Sequence, residues 1–325
     1  MLQFLIRRTL GAFAILILIS ALTFFLFFAI PQDPAMLACG KNCTAGALEI
    51  IHKNLGLDQP VPIQYWEFMK GIVAGRDFAV GHCNAPCFGV SFNNNQQVWE
   101  TIMDRFPTTL SLTVGGLVVF LTLGLATGMI AARRKGTVID KSVSSFSLVL
   151  SSMQIYFLGP IVLGIFVYST GWLDNPGYVP FTENPTAWFM GLLIPWCVMS
   201  AIFTAQYTRM SRSTLIEQLQ EEHVRTARAK GMSKNYVFFR YAWRGSLTPI
   251  VTILGMDLAG LFGGAMVTEI TFSLAGIGRL AVQSVVNKDL PLTMGVMLFS
   301  AAFILLLNIV VDAAYAYIDP RVRLS

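Results

Sequence analysis

The sequence predicts an all-α polytopic membrane protein with six transmembrane helices, and three observations carry that expectation. Of 325 residues, 54% are hydrophobic and only 13% are charged, against roughly 25% charged in an ordinary soluble domain. The mean hydropathy is +0.61, too apolar for a soluble fold to cover its surface with polar groups. The apolar residues also fall into runs of about 20, the length of helix that crosses a hydrocarbon core. Intrinsic disorder is excluded, since it needs low hydrophobicity and high net charge. Five cysteines are too sparse for a small disulfide scaffold. A net charge of +5 fits the Lys/Arg excess of cytoplasmic membrane loops better than nucleic-acid binding.

The six runs are approximately Leu10–Ile30, Leu110–Ala132, Val143–Ser169, Trp188–Tyr207, Leu247–Thr268 and Thr293–Tyr317. The third contains Pro160, which predicts a kink or tilt, and the fifth has Pro249 near its start, where a first-turn proline is tolerated. The runs divide the chain into an N-terminal anchor and first helix (1–30), an extracellular loop region (31–97), a five-helix core (98–318) with a cytoplasmic loop at 209–245, and a cytoplasmic tail (319–325). Residues 1–30 read as an anchor rather than a cleaved leader, because the run is long and no small-residue cleavage site follows.

Orientation comes from the cations. Sixteen of the 23 Lys and Arg fall on one side, eight of them between spans four and five, and none lies in residues 170–187. The Lys/Arg-rich side of short loops is cytoplasmic, so both termini are expected there.

The outer loop carries Cys39 and Cys43, then Cys83 and Cys87, both pairs with CxxxC spacing. Disulfides persist outside the cell, and four cysteines allow three pairings, among which the sequence does not choose. A bridge between the pairs would close a long loop and contribute about 4 kcal/mol in the chain-entropy model. A four-thiolate zinc site beside His82 is the rival. Cys197, inside span four, reads as a buried apolar residue.

The inner loop holds more information. Ser213–Lys230 reads as one amphipathic helix, with Glu217, Glu221 and Glu222 early and Arg225, Arg228 and Lys230 late, the order that suits a helix dipole. Gly231 stands where a C′ glycine would. Ser233 can cap a second helix, with Met232 and Val237 placed as a hydrophobic staple. The segment Arg225-Thr226-Ala227-Arg228-Ala229-Lys230-Gly231 is thin and cationic. It suits insertion into a cleft of a cytoplasmic partner; alternatively it lies on anionic lipid.

His223 through Gly231 (HVRTARAKG) resembles the coupling loop of ATP-binding-cassette importer permeases, in the form typical of the dipeptide, oligopeptide and nickel group. The segments Arg240–Pro249, Glu269–Phe272 with Gly276–Leu280, Asp289-Leu290-Pro291, Asp312–Tyr317 with Asp319-Pro320-Arg321, Phe4–Arg8 and Leu55–Pro60 are similar to that group in the same order. The resemblance spans nearly the whole chain. Thr226 stands where the generic motif has Glu, Leu274-Ala275 departs from the usual residues, and the cysteine pairs are not a general feature of the group. The resemblance implies a type I ABC importer permease fold of the first, B-like subunit type. It implies half of a peptide pathway in a bacterial or archaeal inner membrane. Its expected partners are a second homologous permease in a heterodimer, two cytoplasmic ATPase subunits, an outside substrate-binding protein and membrane lipid, with no nucleic acid. Residues 225–231 would dock in the ATPase. The chain would bind no cofactor, ATP and Mg residing on the ATPases.

The absences agree with a non-catalytic subunit. No GxxxxGK[ST] occurs, Gly276-x-Gly278 is a lone glycine pair, and no HExxH accompanies the three histidines. Acids within spans are functional candidates by default. Asp257, Glu269, Asn308 and Asp312 are the candidate pathway or gate residues, although an interhelical hydrogen bond would also explain Asp257. Gly124-xxx-Gly128 and Gly260-xxx-Gly264 suggest close helix packing. Other readings are a nickel-chelate or glutathione importer permease, an ion-coupled secondary transporter using Asp257 and Asp312, and an intramembrane hydrolase, for which no histidine lies in a span.

Overall fold

The structure is a computed structural model that describes residues 2–26, 59–78 and 81–318 continuously, with isolated positions between 35 and 52. Cys39, Cys43, Leu55–Asp58 and Asp319–Arg321 lie outside the described residues. Among the described residues, eleven α-helices and one hairpin follow in order: α1 (Leu2–Phe24), α2 (Val61–Ala74), β1 (Arg76–Phe78), β2 (Gly81–Cys83), α3 (Val98–Arg133), α4 (Val138–Ser152), α5 (Ile155–Leu163), α6 (Pro185–Gln218), α7 (Glu222–Ala229), α8 (Lys234–Val237), α9 (Trp243–Thr271), α10 (Ile277–Val286) and α11 (Leu290–Ile318). Among the described residues, helices α1, α3, α6 and α11 are each long and apolar enough to cross a membrane, and the number is six if each of two bent helix pairs is one span.

The third span departs from expectation. Its two halves, Val138–Ser152 and Ile155–Ser169, meet at 103°, and the break falls at Met153 and Gln154 rather than at Pro160. Both break residues are extended (ψ 129° and 149°), so the helical ladder stops there. Pro160 lies inside α5, and the π-helical turns of Gly164–Ser169 follow it. Pro249 is also interior, because a π-helical turn, Phe238–Ala242, carries the helix back into α8.

The chain forms two compact units. In the first (1–107 and 275–325), α1 and α10 pack on α11. Val98, Ile102, Ile277, Leu280, Leu292 and Val296 make its buried core, with Phe106 edge-on to Phe299 and Phe303. The β1–β2 hairpin pairs Asp77 with His82, and Cys83 is bonded to Cys87. Of the three pairings the structure therefore contains one made within a CxxxC motif, and a zinc site using these two thiolates is set aside.

In the second unit (108–274), α4, α5 and α9 pack against α6. The core gathers Phe120, Leu192, Trp196, Met199, Tyr207, Ile250 and Leu261. Glycines bring α3 close to α6. A Cβ at Gly124 would stand 2.8 Å from that of Tyr207, and one at Gly128 would overlap Ser211. Thr127 and Thr208 share a hydroxyl hydrogen bond of 2.7 Å across the same seam. Gly260 borders open space instead.

Candidate functional site

The cationic segment forms an elbow below the end of α6. The single helix expected over Ser213–Lys230 is in fact two. Helix α6 ends at Gln218, a turn occupies Leu219–Glu221, and α7 begins at Glu222. The break lets Val224 and Ala227 turn inward against Val237, Leu219, Met232 and Tyr241, which a continuation along the α6 axis would not allow. The dipole argument then applies to α7 alone, with Glu222 in its first turn and Arg228 in its last.

Both ends of the elbow are chemically specified. The Gly231 N–H donates to the Arg228 carbonyl, and the Met232 N–H to the Ala227 carbonyl, which together make a Schellman motif. Gly231 has φ +79°, a conformation that glycine adopts without the Cβ penalty. The Ser233 hydroxyl accepts from the Tyr236 N–H, so α8 starts at a side-chain cap. Met232 and Val237 meet in the small apolar cluster beneath, as a staple does. What remains outside is Arg225, Thr226, Arg228, Ala229, Lys230 and Gly231, all exposed.

Two polar links fasten this region to neighbouring helices. Arg212, on the last turns of α6, grips Asp140 with Nε and with Nη2 (2.8 Å). The Asp140 side chain is 4% exposed, and it also accepts from the Gly136 N–H. Arg133, at the end of α3, donates to Asn235 on α8. Gly245 leaves room for Gln218, whose Oε1 would meet a Cβ there. Beside the elbow, His223, Arg240, Tyr241, Arg244 and Gly245 line a shallow recess of about 410 Å³.

The four candidate pathway residues do not form one constellation. Asp257 accepts a 3.0 Å hydrogen bond from the Tyr207 hydroxyl, tying α9 to α6. Glu269, fully buried, accepts from Thr109 at 2.6 Å. These two acids stand about 18 Å apart along α9 at 1.5 Å rise per residue. Asn308 and Asp312 belong to the other unit. Asp312 is ion-paired with Arg8 of α1 at 3.2 Å, so its partner is a cation from another helix; Asn308 is half-buried one turn earlier.

A residue not among the candidates organises the first unit. Asp289 is 1% exposed and accepts from the Leu292 N–H as the cap of α11. The Ser91 hydroxyl, the Phe92 N–H and the Asn93 amide donate to the same carboxylate. The Asp289-Leu290-Pro291 segment is thus a helix start with a proline in the first turn. A polar recess of about 240 Å³ opens beside it, lined by Asn93, Gln96, Asp104, Arg105, Gln283 and Asn287 among others.

Comparison with known proteins places these features in a family. Residues 1–113 match "Binding-prot-dependent transport system membrane comp, N-term", and residues 124–324 match "Binding-protein-dependent transport system inner membrane component". A probable peptide ABC transporter permease protein of Sinorhizobium fredii is 31% identical over 320 residues, 98% of this chain and 99% of the relative. A putative peptide transport system permease protein of Brucella abortus is 32% identical over 318 residues, 98% of each chain. The glutathione transport system permease protein of Escherichia coli is 33% identical over 324 residues, 99% of each. The chain therefore belongs to the binding-protein-dependent transport system inner membrane component family: it is a multi-pass permease subunit of an ABC importer, with the type I permease fold.

Proposed function

We propose that this permease forms half of a pathway for short peptides and is driven through its elbow by separate ATPases. One observation carries the reading: α7 turns Val224 and Ala227 inward and leaves Arg225, Thr226, Arg228, Ala229, Lys230 and Gly231 outside. The outward face is thin and cationic and is anchored at both ends, and the side chains of Arg225, Arg228 and Lys230 make no hydrogen bond or ion pair among the described residues. It has the shape and charge to enter an acid-rimmed groove. Closure of two ATPases on ATP would move two such elbows, and the spans above would switch between two packings.

Six spans line only half of a usual pathway, so the partners are a homologous companion permease, two ATPase subunits on the cytoplasmic side, and a substrate-binding protein outside. Both termini would then be cytoplasmic. The peptide and glutathione relatives support a cargo of small peptides, glutathione-like tripeptides included. The chemistry of transport is conformational, with no cofactor on this chain. Asp257, Glu269, Asn308 and Asp312 would act at the gates, three of them as acceptors that hold helices together in this packing: Asp257 for Tyr207, Glu269 for Thr109 and Asp312 for Arg8.

The test is co-purification of the ATPases with the permease pair carrying Arg225→Glu and Arg228→Glu. Membrane insertion is expected to persist while the ATPases are lost and peptide-stimulated ATP hydrolysis disappears. Normal recovery of the ATPases would sink the docking role, and uptake without ATP would point to an ion-coupled carrier instead.

A further inference from the structure

The recess beside the elbow has a chemistry of its own. Arg240, on the π-helical turn before α9, and Arg244, in the first turn of α9, are four residues apart, and both are exposed. Neither side chain makes a hydrogen bond or an ion pair among the described residues, and neither does that of His223. Tyr241 and Gly245 complete the lining. Two guanidinium groups without a counter-charge, flanked by an imidazole and a phenol, match the oxygens of a phosphodiester, since arginine binds phosphate through a planar fork of donors.

The neighbouring residues select the source of that phosphate. Tyr236, four residues before Arg240, and Phe239, directly before it, are 52% and 53% exposed. Aromatic rings interleaved with arginines at the foot of a transmembrane helix are the pattern of the membrane–water interface, where ring bodies sit at headgroup level. Basic pockets at that level take anionic headgroups. The recess is also separate from the outward face of α7: its one contribution from that helix is His223, near the first turn.

We propose that this recess, made by His223, Arg240, Tyr241 and Arg244, is a binding site for the phosphodiester headgroup of an anionic phospholipid. Occupancy would tie the foot of α9 and the start of α7 to the leaflet that meets the elbow, and lipid composition would bear on how firmly the elbow is held.

The test uses the assembled transporter in neutral detergent, titrated with phosphatidylglycerol, phosphatidylcholine or inorganic phosphate, with bound lipid counted by native mass spectrometry. The wild type is expected to hold a tightly bound phosphatidylglycerol that phosphatidylcholine does not replace. The R240Q/R244Q variant is expected to bind it about thirtyfold more weakly, the loss for two cations at a charged surface. K288Q, with the cation removed from the other compact unit, should bind as the wild type does. If R240Q/R244Q does not assemble, R240K/R244K takes its place, and a several-fold weakening is expected because the charge stays while the fork is lost. Unchanged phosphatidylglycerol binding in the variant that assembles overturns the proposal. So does displacement of the lipid by inorganic phosphate at equal concentration, which marks a free-anion site. Loss of the ATPases from R240Q/R244Q with lipid binding intact overturns it too, and assigns the recess to an acidic protein surface.

Discussion

Arg212 holds Asp140 through two guanidinium nitrogens, and in doing so fixes the start of α4 to the last turns of α6, a few residues above the elbow. The Asp140 carboxylate is almost fully buried while Arg212 is 30% exposed. Removing one partner leaves the other uncompensated, the costly way to break such a pair. Arg212→Gln is therefore expected to destabilise the permease by about 3 kcal/mol, and Asp140→Asn by somewhat less, because its amide still meets the arginine. Thermal unfolding of the two single variants and the double variant in detergent gives the coupling between them. A coupling near zero would show that the pair is incidental.

Gly231 separates two roles that one residue could serve. Its φ of +79° strains most side chains with a Cβ, yet nothing among the described residues stands within 4 Å of where a Cβ would go. Gly231→Val should cost about 1–2 kcal/mol locally and reduce coupled transport while leaving insertion intact. Gly231→Asn tolerates the left-handed conformation and should preserve the turn. If Asn restores coupled transport, the turn geometry is what matters; if Asn fails as Val does, the partner needs a bare backbone there. Normal coupled uptake in the valine variant would count against docking at this position.

Tyr207 and Asp257 provide a test of whether the intramembrane acid carries cargo or holds helices. Asp257→Asn keeps an acceptor for the tyrosine hydroxyl and should retain most transport. Tyr207→Phe deletes the donor and should lower stability by about 1–3 kcal/mol. The reverse pattern in uptake assays, with Asn inactive and Phe silent, would make the negative charge itself essential.

The ring closed by Cys83 and Cys87 gives a covalent prediction. Without reductant, Cys83 and Cys87 should resist alkylation, and the peptide containing both should lack two hydrogens. A pairing confined to this short segment is worth about 2 kcal/mol in the chain-entropy model, half of what a bridge to Cys39 or Cys43 would contribute. A cross-linked peptide joining Cys83 or Cys87 to either of those residues would refute the local ring.

Much of the elbow was legible because its signals are local. Gly231, Ser233, and the Met232–Val237 staple each act within a few residues, and the length of the apolar runs located the candidate spans. What escaped the sequence was decided by distant partners. The break at Leu219–Glu221 depends on Val237 and Tyr241 offering Val224 and Ala227 a place to bury, and no periodic pattern in 213–230 encodes that cluster. The bend at Met153 and Gln154 arises at residues without a breaker's chemistry, whereas Pro160, the obvious breaker, sits within a helix. Asp140 with Arg212, and Thr109 with Glu269, are separated by 72 and 160 positions, so neither pair could be read from spacing. Asp289 was visible as part of a family-like segment, and its capping role follows from the Leu-Pro after it; its bonds to Ser91 and Asn93 do not.

Asp289→Ala should remove a cap worth about 1 kcal/mol and strand the donors of Ser91 and Asn93. Hydrogen exchange at Phe92 and Leu292 is expected to rise together, and independent changes would separate the two functions of the carboxylate. While both hold, a single side chain places the 91–93 turn and the first turn of the last helix mechanically in series. A load applied to that turn would pass to the foot of the last helix through that one carboxylate.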